Sequence, residues 1–425
     1  MTNFNYICFY KKKIAPLNIK IMSLPRILTV VFISSLFIAC NSDDDNEIIV
    51  GDDDYSDIYN LPETPYNYSN INFPDTFTDY VFGFDNTPTD NPITDDGVTL
   101  GRVLFYDVNM SANNTISCAS CHLQEFGFSD NVPKSEGFEG GHTFRNSMGF
   151  ANAGLYADEN FFWDHRAETL EAQVLMPLQD EVEMGMTLDV LVTKLSALDY
   201  YDPLFENVFG STQITSDKIS KVLAQFVRSI YSFNTKYDEG IEATHNIFVD
   251  FPNFTAEENI GKDIFNGKLT PEAIGTCVTC HLPNATPLHF AQDIPEGANQ
   301  VVFSGAETDN IGLDIDENVE DNGVGANLGI PSLNGHFKSP SIRNIEVTGP
   351  YMHDGRMETL EEVVEHYSTG VLAHPYLSAH MKDGNGDPRH LDLTPEESAA
   401  LVAFMKTLTD YELINDVKFS DPFVN

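Results

Sequence analysis

The chain has 425 residues, enough for two domains that each bury a core of ordinary size. Its 65 acidic residues against 23 basic ones leave a formal charge of −42, which disfavours nucleic acid and anionic lipid as partners. That charge leaves a basic or neutral partner, or solubility in a salty setting, as its two readings, and six cysteines, four of them in two short motifs, describe no disulfide framework.

Residues 1–40 read as an export segment. An apolar run over 27–39 follows Arg26, is short for a bilayer span, and ends at Cys40 ahead of the acidic stretch Asp43, Asp44 and Asp45. Ala39 before Cys40 suits a lipobox, although Phe37 is bulkier than the usual aliphatic residue. A lipidated Cys40 would anchor the protein on a membrane without spanning it. Residues ahead of Met22 add only the basic tract Lys11, Lys12 and Lys13 to an already complete signal, so Met22 is the expected start. Residues 41–90, rich in Asp, Asn, Tyr, Thr and Pro without helical periodicity, read as an acidic disordered tether becoming an irregular wrap.

The folded body is expected from about residue 91. Apolar periodicity predicts helices over 99–106, 169–175, 188–198, 217–233, 256–265, 360–367 and 395–408. Thr255 with Glu258 and Thr394 with Glu397 form capping boxes, and Pro395 occupies a first helical position, where its missing N–H costs nothing. Long loops are expected over 127–158 and 283–338. The second holds Asp314, Asp316, Glu317 and Asp321, which lack EF-hand spacing and read as a solvated loop. Strand signals are thin throughout.

Two short motifs carry the chemistry. Cys118-Ala-Ser-Cys121-His122 and Cys277-Val-Thr-Cys280-His281 each have the spacing of a c-type haem attachment site: two thiols reach the porphyrin vinyl groups and the adjoining His faces the iron. A four-cysteine zinc site or a pair of redox dithiols would need no His after each second Cys, so two covalently bound haem c groups are the expected cofactors. The expected fold is mainly α, with two cytochrome c-type domains, 91–245 and 246–425, each enclosing one haem among long loops. The extreme C-terminus is expected to pack back on the first domain.

From Gly101 onward the chain resembles the bacterial dihaem cytochrome c peroxidase family, which includes the MauG-type enzymes. The resemblance rests on the stretch Gly101-Arg102-Val103-Leu104-Phe105-Tyr106-Asp107, both haem motifs, Arg145-Asn146-Ser147, and Trp163-Asp164-His165-Arg166-Ala167. It continues through Leu170-Glu171-Ala172-Gln173, Glu183-Met184-Gly185, Pro340-Ser341-Ile342-Arg343-Asn344 and Gly349-Pro350-Tyr351-Met352-His353-Asp354-Gly355. It implies a peroxidatic N-terminal haem on His122, open to hydrogen peroxide, and an electron-receiving C-terminal haem on His281. Glu183 matches the family's catalytic Glu, Gln173 the polar residue beside it, and Pro177 would pack over the same face. Trp163, the single Trp of the chain, matches the aromatic residue between the haems. Asn146, with the carbonyls of Thr348 and Pro350, matches a calcium site.

Two positions depart from the family pattern. His142 is the histidine available to ligate the first haem iron at rest, but it stands closer to Asn146 than that ligand usually does. The sixth ligand of the second haem is Met in typical peroxidases; here Tyr367 holds the matching position, with Met381 as the alternative and Met352 behind it. A tyrosinate would lower the potential and bring the protein toward the MauG branch.

The resemblance therefore implies an exported lipoprotein, periplasmic or cell-surface, that reduces hydrogen peroxide with electrons from a small cytochrome or cupredoxin. A homodimer fits the same pattern. The alternatives are a MauG-like oxidase acting through high-valent iron and a dihaem electron-transfer cytochrome without catalysis.

Overall fold

Threonine side chains start most of the longer helices. Thr94 accepts from the Gly97 N–H to open the helix Asp95–Tyr106, and Thr187 and Thr215 do the same for Leu188–Leu195 and Ser216–Arg228. Thr235, Thr255, Thr359 and Thr394 form full capping boxes ahead of Lys236–Thr244, Ala256–Phe265, Leu360–Glu365 and Pro395–Lys406. The computed structural model describes residues 55–156, 160–267, 277–281, 302–305, 307–315 and 320–424. The export segment, Met22, Cys40 and the acidic stretch behind it lie outside the described residues.

The fold is mainly helical. Among the described residues the one sheet is the two-residue pair Thr308–Asp309 with Phe337–Lys338. Helices over 256–265 and 395–408 stand close to their expected bounds, while the one expected over 217–233 stops at Arg228. It stops because side chains far along the chain capture the next backbone groups: Asn152 Oδ1 accepts from Ser232 N, and Asp410 Oδ2 accepts from Phe233 N and Asn234 N. The expected helix over 169–175 shortens to Leu170–Gln173, and a separate turn, Met176–Gln179, follows it with Pro177 at its start. Of the helices of eight residues or more, two escaped the periodicity: Asp202–Phe209 and Lys236–Thr244. Both are short, and only their caps are legible in the sequence. The loop expected over 283–338 contains the helix Gly323–Leu328 and both strands of the sheet. Two of its acidic residues are less solvated than expected, since Asp314 pairs with Arg356 and Asp321 accepts two hydrogen bonds from Arg145, while Asp316 and Glu317 lie outside the described residues.

Two large apolar cores dominate the described residues. The first gathers Leu104, Phe105, Phe128, Met184, Tyr201, Phe226 and their neighbours, and the second gathers Tyr237, Phe265, Phe303, Leu360, Phe404 and Leu408. Each is crossed by a pair of helices that touch at a glycine. A Cβ at Gly101 would come within 2.1 Å of the Val222 carbonyl oxygen, and one at Gly261 within 1.9 Å of the Ala400 carbonyl oxygen. Glycine is what lets both backbones approach so closely.

Both ends of the described chain pack on the first core. Tyr55, Ile58, Tyr59, Leu61 and Tyr66 lie against it, and so do Leu413 and Phe419 from the C-terminal segment. Polar bonds fasten that segment: Arg102 Nε donates to Ser420 O, Tyr106 Oη to Phe419 O, and Gln124 Nε2 to Leu413 O and Asp416 O.

Candidate functional site

The first motif sits on a single 3₁₀ turn, Cys118–Ser120, whose N-cap Ser117 exchanges a reciprocal capping box with Ser120. His122 N–H bonds back to Cys118 O, bringing both thiols and the imidazole to one side of the turn. His122 Nδ1 lies 2.8 Å from Phe128 O and 3.1 Å from Ser147 Oγ, while Ser147 Oγ donates to Cys121 O. Nδ1 is therefore the protonated nitrogen, which leaves Nε2 bare and able to ligate a metal. Burial drops the His122 pKa to about 4, so the ring is neutral at pH 7. Cys118 and Cys121 are free, and burial raises their thiols to about 12 and about 11.

Glu183 stands beside these thiols, near enough to act electrostatically on both. Its turn is tightly held: Asp180 Oδ1 accepts from Val182 N and Glu183 N, Asp180 O accepts from Gly185 N, and Glu183 O accepts from Phe138 N. Gly137 leaves no room for a side chain there, because a Cβ would meet Val182 O at 1.8 Å. Burial, reinforced by Asp180 and opposed by Arg166, raises the Glu183 carboxyl to about 7. Gln173 ends the helix Leu170–Gln173, and both it and Pro177 are half-buried. His142 is exposed on the hairpin that carries Phe138, bridged to Glu136.

The second motif forms the helical turn Cys277–Cys280, and His281 N–H bonds to Cys277 O. His281 Nδ1 lies 3.1 Å from Pro340 O and 3.3 Å from Phe303 O, again leaving Nε2 bare. Burial lowers the His281 pKa and raises both thiols, that of Cys277 to about 12. These side chains open onto a largely apolar cavity of about 1470 Å³ of empty space, mouth included. Tyr367, Met381, Met352 and Trp163 line it too.

Tyr367 lies in the π-helical segment His366–Gly370 that follows Leu360–Glu365, a local widening often found at functional sites. Burial and the neighbouring Cys280, Cys277 and Asp309 hold its phenol far above the usual range. Met381, 5 % exposed, belongs to the small apolar cluster against which Tyr367 packs. Two free thiols, a neutral imidazole with one bare nitrogen, and a large apolar cavity fit a covalently held haem.

Trp163 joins the two halves. Its Nε1 donates to Asn146 O, and its carbonyl accepts from Lys338 N. Asn146 N in turn donates to His353 O, and Asn146, Thr348 and Pro350 share the wall on which Trp163 stands. The Asn146 amide nitrogen donates to the carbonyls of Val132 and Pro133.

Sequence reasoning missed the polar frame around this tryptophan. Arg145 pairs with Asp164 at 2.6 Å and Asp321 at 2.7 Å, and His353 stacks on Phe337 with ring centroids 3.7 Å apart. Ser147 belongs to the stretch Arg145-Asn146-Ser147, whose local pattern says nothing of its hold on His122. No local pattern announces these partners, since Arg145 and Asp321 meet only after folding. Among the described residues no cluster of three or more His, Cys, Asp or Glu side chains is placed to hold a metal. Among them, too, no helix is long and apolar enough to cross a membrane.

Comparison with known proteins completes the description. Residues 95–246 match the di-haem cytochrome c peroxidase family. The methylamine utilization protein MauG of Methylorubrum extorquens is 32% identical over 322 residues, covering 76% of this chain and 80% of that one. The cytochrome c551 peroxidase of Nitrosomonas europaea is 29% identical, over 78% of this chain and 88% of its own. Among solved structures, a MauG-like protein associated with microbial copper homeostasis superposes with a TM-score of 0.67 at 33% identity, covering 83% of this chain and 99% of that one.

Proposed function

The chain belongs to the di-haem cytochrome c peroxidase family, and we propose that it reduces hydrogen peroxide to water with electrons from a small redox protein, a cytochrome or cupredoxin. Cys118 and Cys121 would hold one haem by thioether bonds, with His122 Nε2 free to face its iron, and Cys277, Cys280 and His281 would hold the other. Each haem, when bound, supplies a redox-active iron. The chain's own residues orient the substrate and move protons. Glu183 takes a proton from peroxide and returns it to the departing oxygen, Gln173 assists on the same side, and Trp163 links the two haem sites electronically.

The observation that carries this reading is the Glu183 carboxyl, tuned to about 7 beside the first motif. A group poised near the working pH serves as both base and acid. A Glu183→Gln variant loaded with both haems is expected to lose about 10²- to 10⁴-fold in kcat/KM for peroxide. Turnover at the wild-type rate would refute the assignment.

A second reading, a MauG-like oxidase, is favoured by one residue. Tyr367 lies close enough to the second motif's thiols to feel both electrostatically, and we take it as sixth ligand of that haem with Met381 as the alternative. Electron paramagnetic resonance of the oxidised protein tests this, because Tyr367→Phe should change the low-spin signal; an unchanged signal would return the place to Met381.

The remaining assignments extend the family pattern. Two cytochrome c-type domains are proposed over 91–245 and 246–425, with Tyr237 reaching into the second core and Leu413 and Phe419 into the first across that boundary. The Asn146 side-chain oxygen and the carbonyls of Thr348 and Pro350 form a set of hard donors that suits calcium. His142 serves as resting ligand of the first haem only if its hairpin swings inward. Export, lipidation at Cys40 and a homodimer complete the proposal.

A further inference from the structure

We infer that Tyr201, Tyr200, Tyr59 and Tyr55 form a relay that carries an oxidising equivalent from the first haem site to the surface, a route independent of Trp163 and the second haem site. This rests on the peroxidase reading. Successive rings lie close: centroids are 4.6 Å apart for Tyr201 and Tyr200, 6.3 Å for Tyr200 and Tyr59, and 6.1 Å for Tyr59 and Tyr55. The chain of rings begins in the first core, where Tyr201 and Tyr200 are buried with Met110, Met184 and Met186. Met184 follows Glu183 directly, and its carbonyl accepts from Ala112 N at 2.9 Å, just beyond the turn that starts at Asp107. The chain ends at Tyr55, whose hydroxyl donates to Asp199 O at the exposed edge.

A phenol gives up an electron readily only if its proton leaves at the same time. Asp107 is built to receive that proton. Its Oδ2 accepts from Tyr201 Oη at 2.6 Å and from Tyr200 Oη at 2.7 Å, while its Oδ1 is occupied by Asn109 N and Asn109 Nδ2. The carboxylate is 2 % exposed, and Lys194 is the cation near it. Tyr59 and Tyr55, at the outer end, donate instead to the backbone carbonyls of Tyr200 and Asp199, so the proton-accepting carboxylate serves the inner pair of rings.

The step balances. With a haem bound there and oxidised by peroxide, Tyr201 would give up one electron to it and its phenolic proton to Asp107. An electron then moves inward from Tyr55 through Tyr59 and Tyr200, the proton returns from Asp107 to Tyr201, and Tyr55 releases its own proton to water. Oxidising power thus leaves the haem when no electron arrives from the second site, and a one-electron reductant in solution restores Tyr55.

The holoenzyme is mixed with hydrogen peroxide and the spin trap 2-methyl-2-nitrosopropane, without electron donor, and the adduct is read by electron paramagnetic resonance and located by peptide mass spectrometry. The expected result is an adduct on Tyr55 that is lost in Tyr59→Phe and in Tyr200→Phe and kept in Tyr106→Phe. Labelling of Tyr55 undiminished in both relay variants would overturn the proposal, as would an unlabelled Tyr55 in a protein whose Soret band shifts normally with peroxide. A Soret band that ignores peroxide would instead defeat the peroxidase reading, and the relay with it.

Discussion

Glu183 shows how one side chain's surroundings set its chemistry. In water its carboxyl would be ionised at pH 7 and too weak a base to hold a proton through O–O cleavage. Burial beside the first motif raises it to about 7, and Asp180, which also pins the backbone of the turn, pushes in the same direction. The consequence for pH follows from the sign of that shift. A raised carboxyl is protonated below its own value, so the form able to accept the proton of peroxide is lost as pH falls through about 7. The second-order rate of reaction with peroxide, followed by stopped-flow absorbance, is therefore expected to fall on the acid side with a midpoint near 7. Glu183→Gln should leave a slower rate without that limb. A midpoint near the usual carboxylate range in the wild type would show that Glu183 does not control the step.

The helices teach a different lesson, about what a local pattern contains. The threonine caps at Thr255 and Thr394 were readable because every residue of a capping box lies within one turn. So were the two Cys-x-x-Cys-His turns. The end of the helix at Arg228 was not, because it depends on Asn152 and Asp410, and neither was the hold of Ser147 on His122. Of the candidate site residues, those named by motif were legible one at a time, but the frame that gathers them around Trp163 depends on Arg145 meeting Asp164 and Asp321. One longer-range signal was available. Gly101 and Phe105 on the first helix pair are echoed by Gly261 and Phe265 on the second, and Val222 and Phe226 by Ala400 and Phe404. The repeat marks two crossings of the same kind. Gly261→Ala would push a methyl group into the Ala400 carbonyl and the Phe404 Cβ, backbone and rigid side chain that cannot yield cheaply. The expected loss is about 1–3 kcal/mol or more, the cost of overpacking a core, read by urea unfolding of the loaded protein. Stability equal to wild type would mean that the two helices slide apart without cost.

Taken whole, the protein combines a first core bound by both ends of the described chain with a strongly negative formal charge. Tyr59 and Phe423 bridge beside the first core, and Phe419 fills it, so the C-terminal segment carries the last helix's chain across to the first core. The charge of −42 acts at longer range than any of these contacts. It draws a cationic partner toward the surface before any specific contact is made, and raises the encounter rate accordingly. Salt weakens this attraction, since the screening length shrinks from about 30 Å at roughly 0.01 M to about 8 Å at roughly 0.15 M. With a basic mitochondrial-type cytochrome c as probe donor, kcat/KM for the donor is expected to fall steadily over that range, while the rate of reaction with neutral hydrogen peroxide stays flat. Measuring both rates on one preparation separates the causes. If both fall together, salt is perturbing the haem sites themselves; if neither falls, the acidic surface serves solubility and the donor docks through apolar contacts.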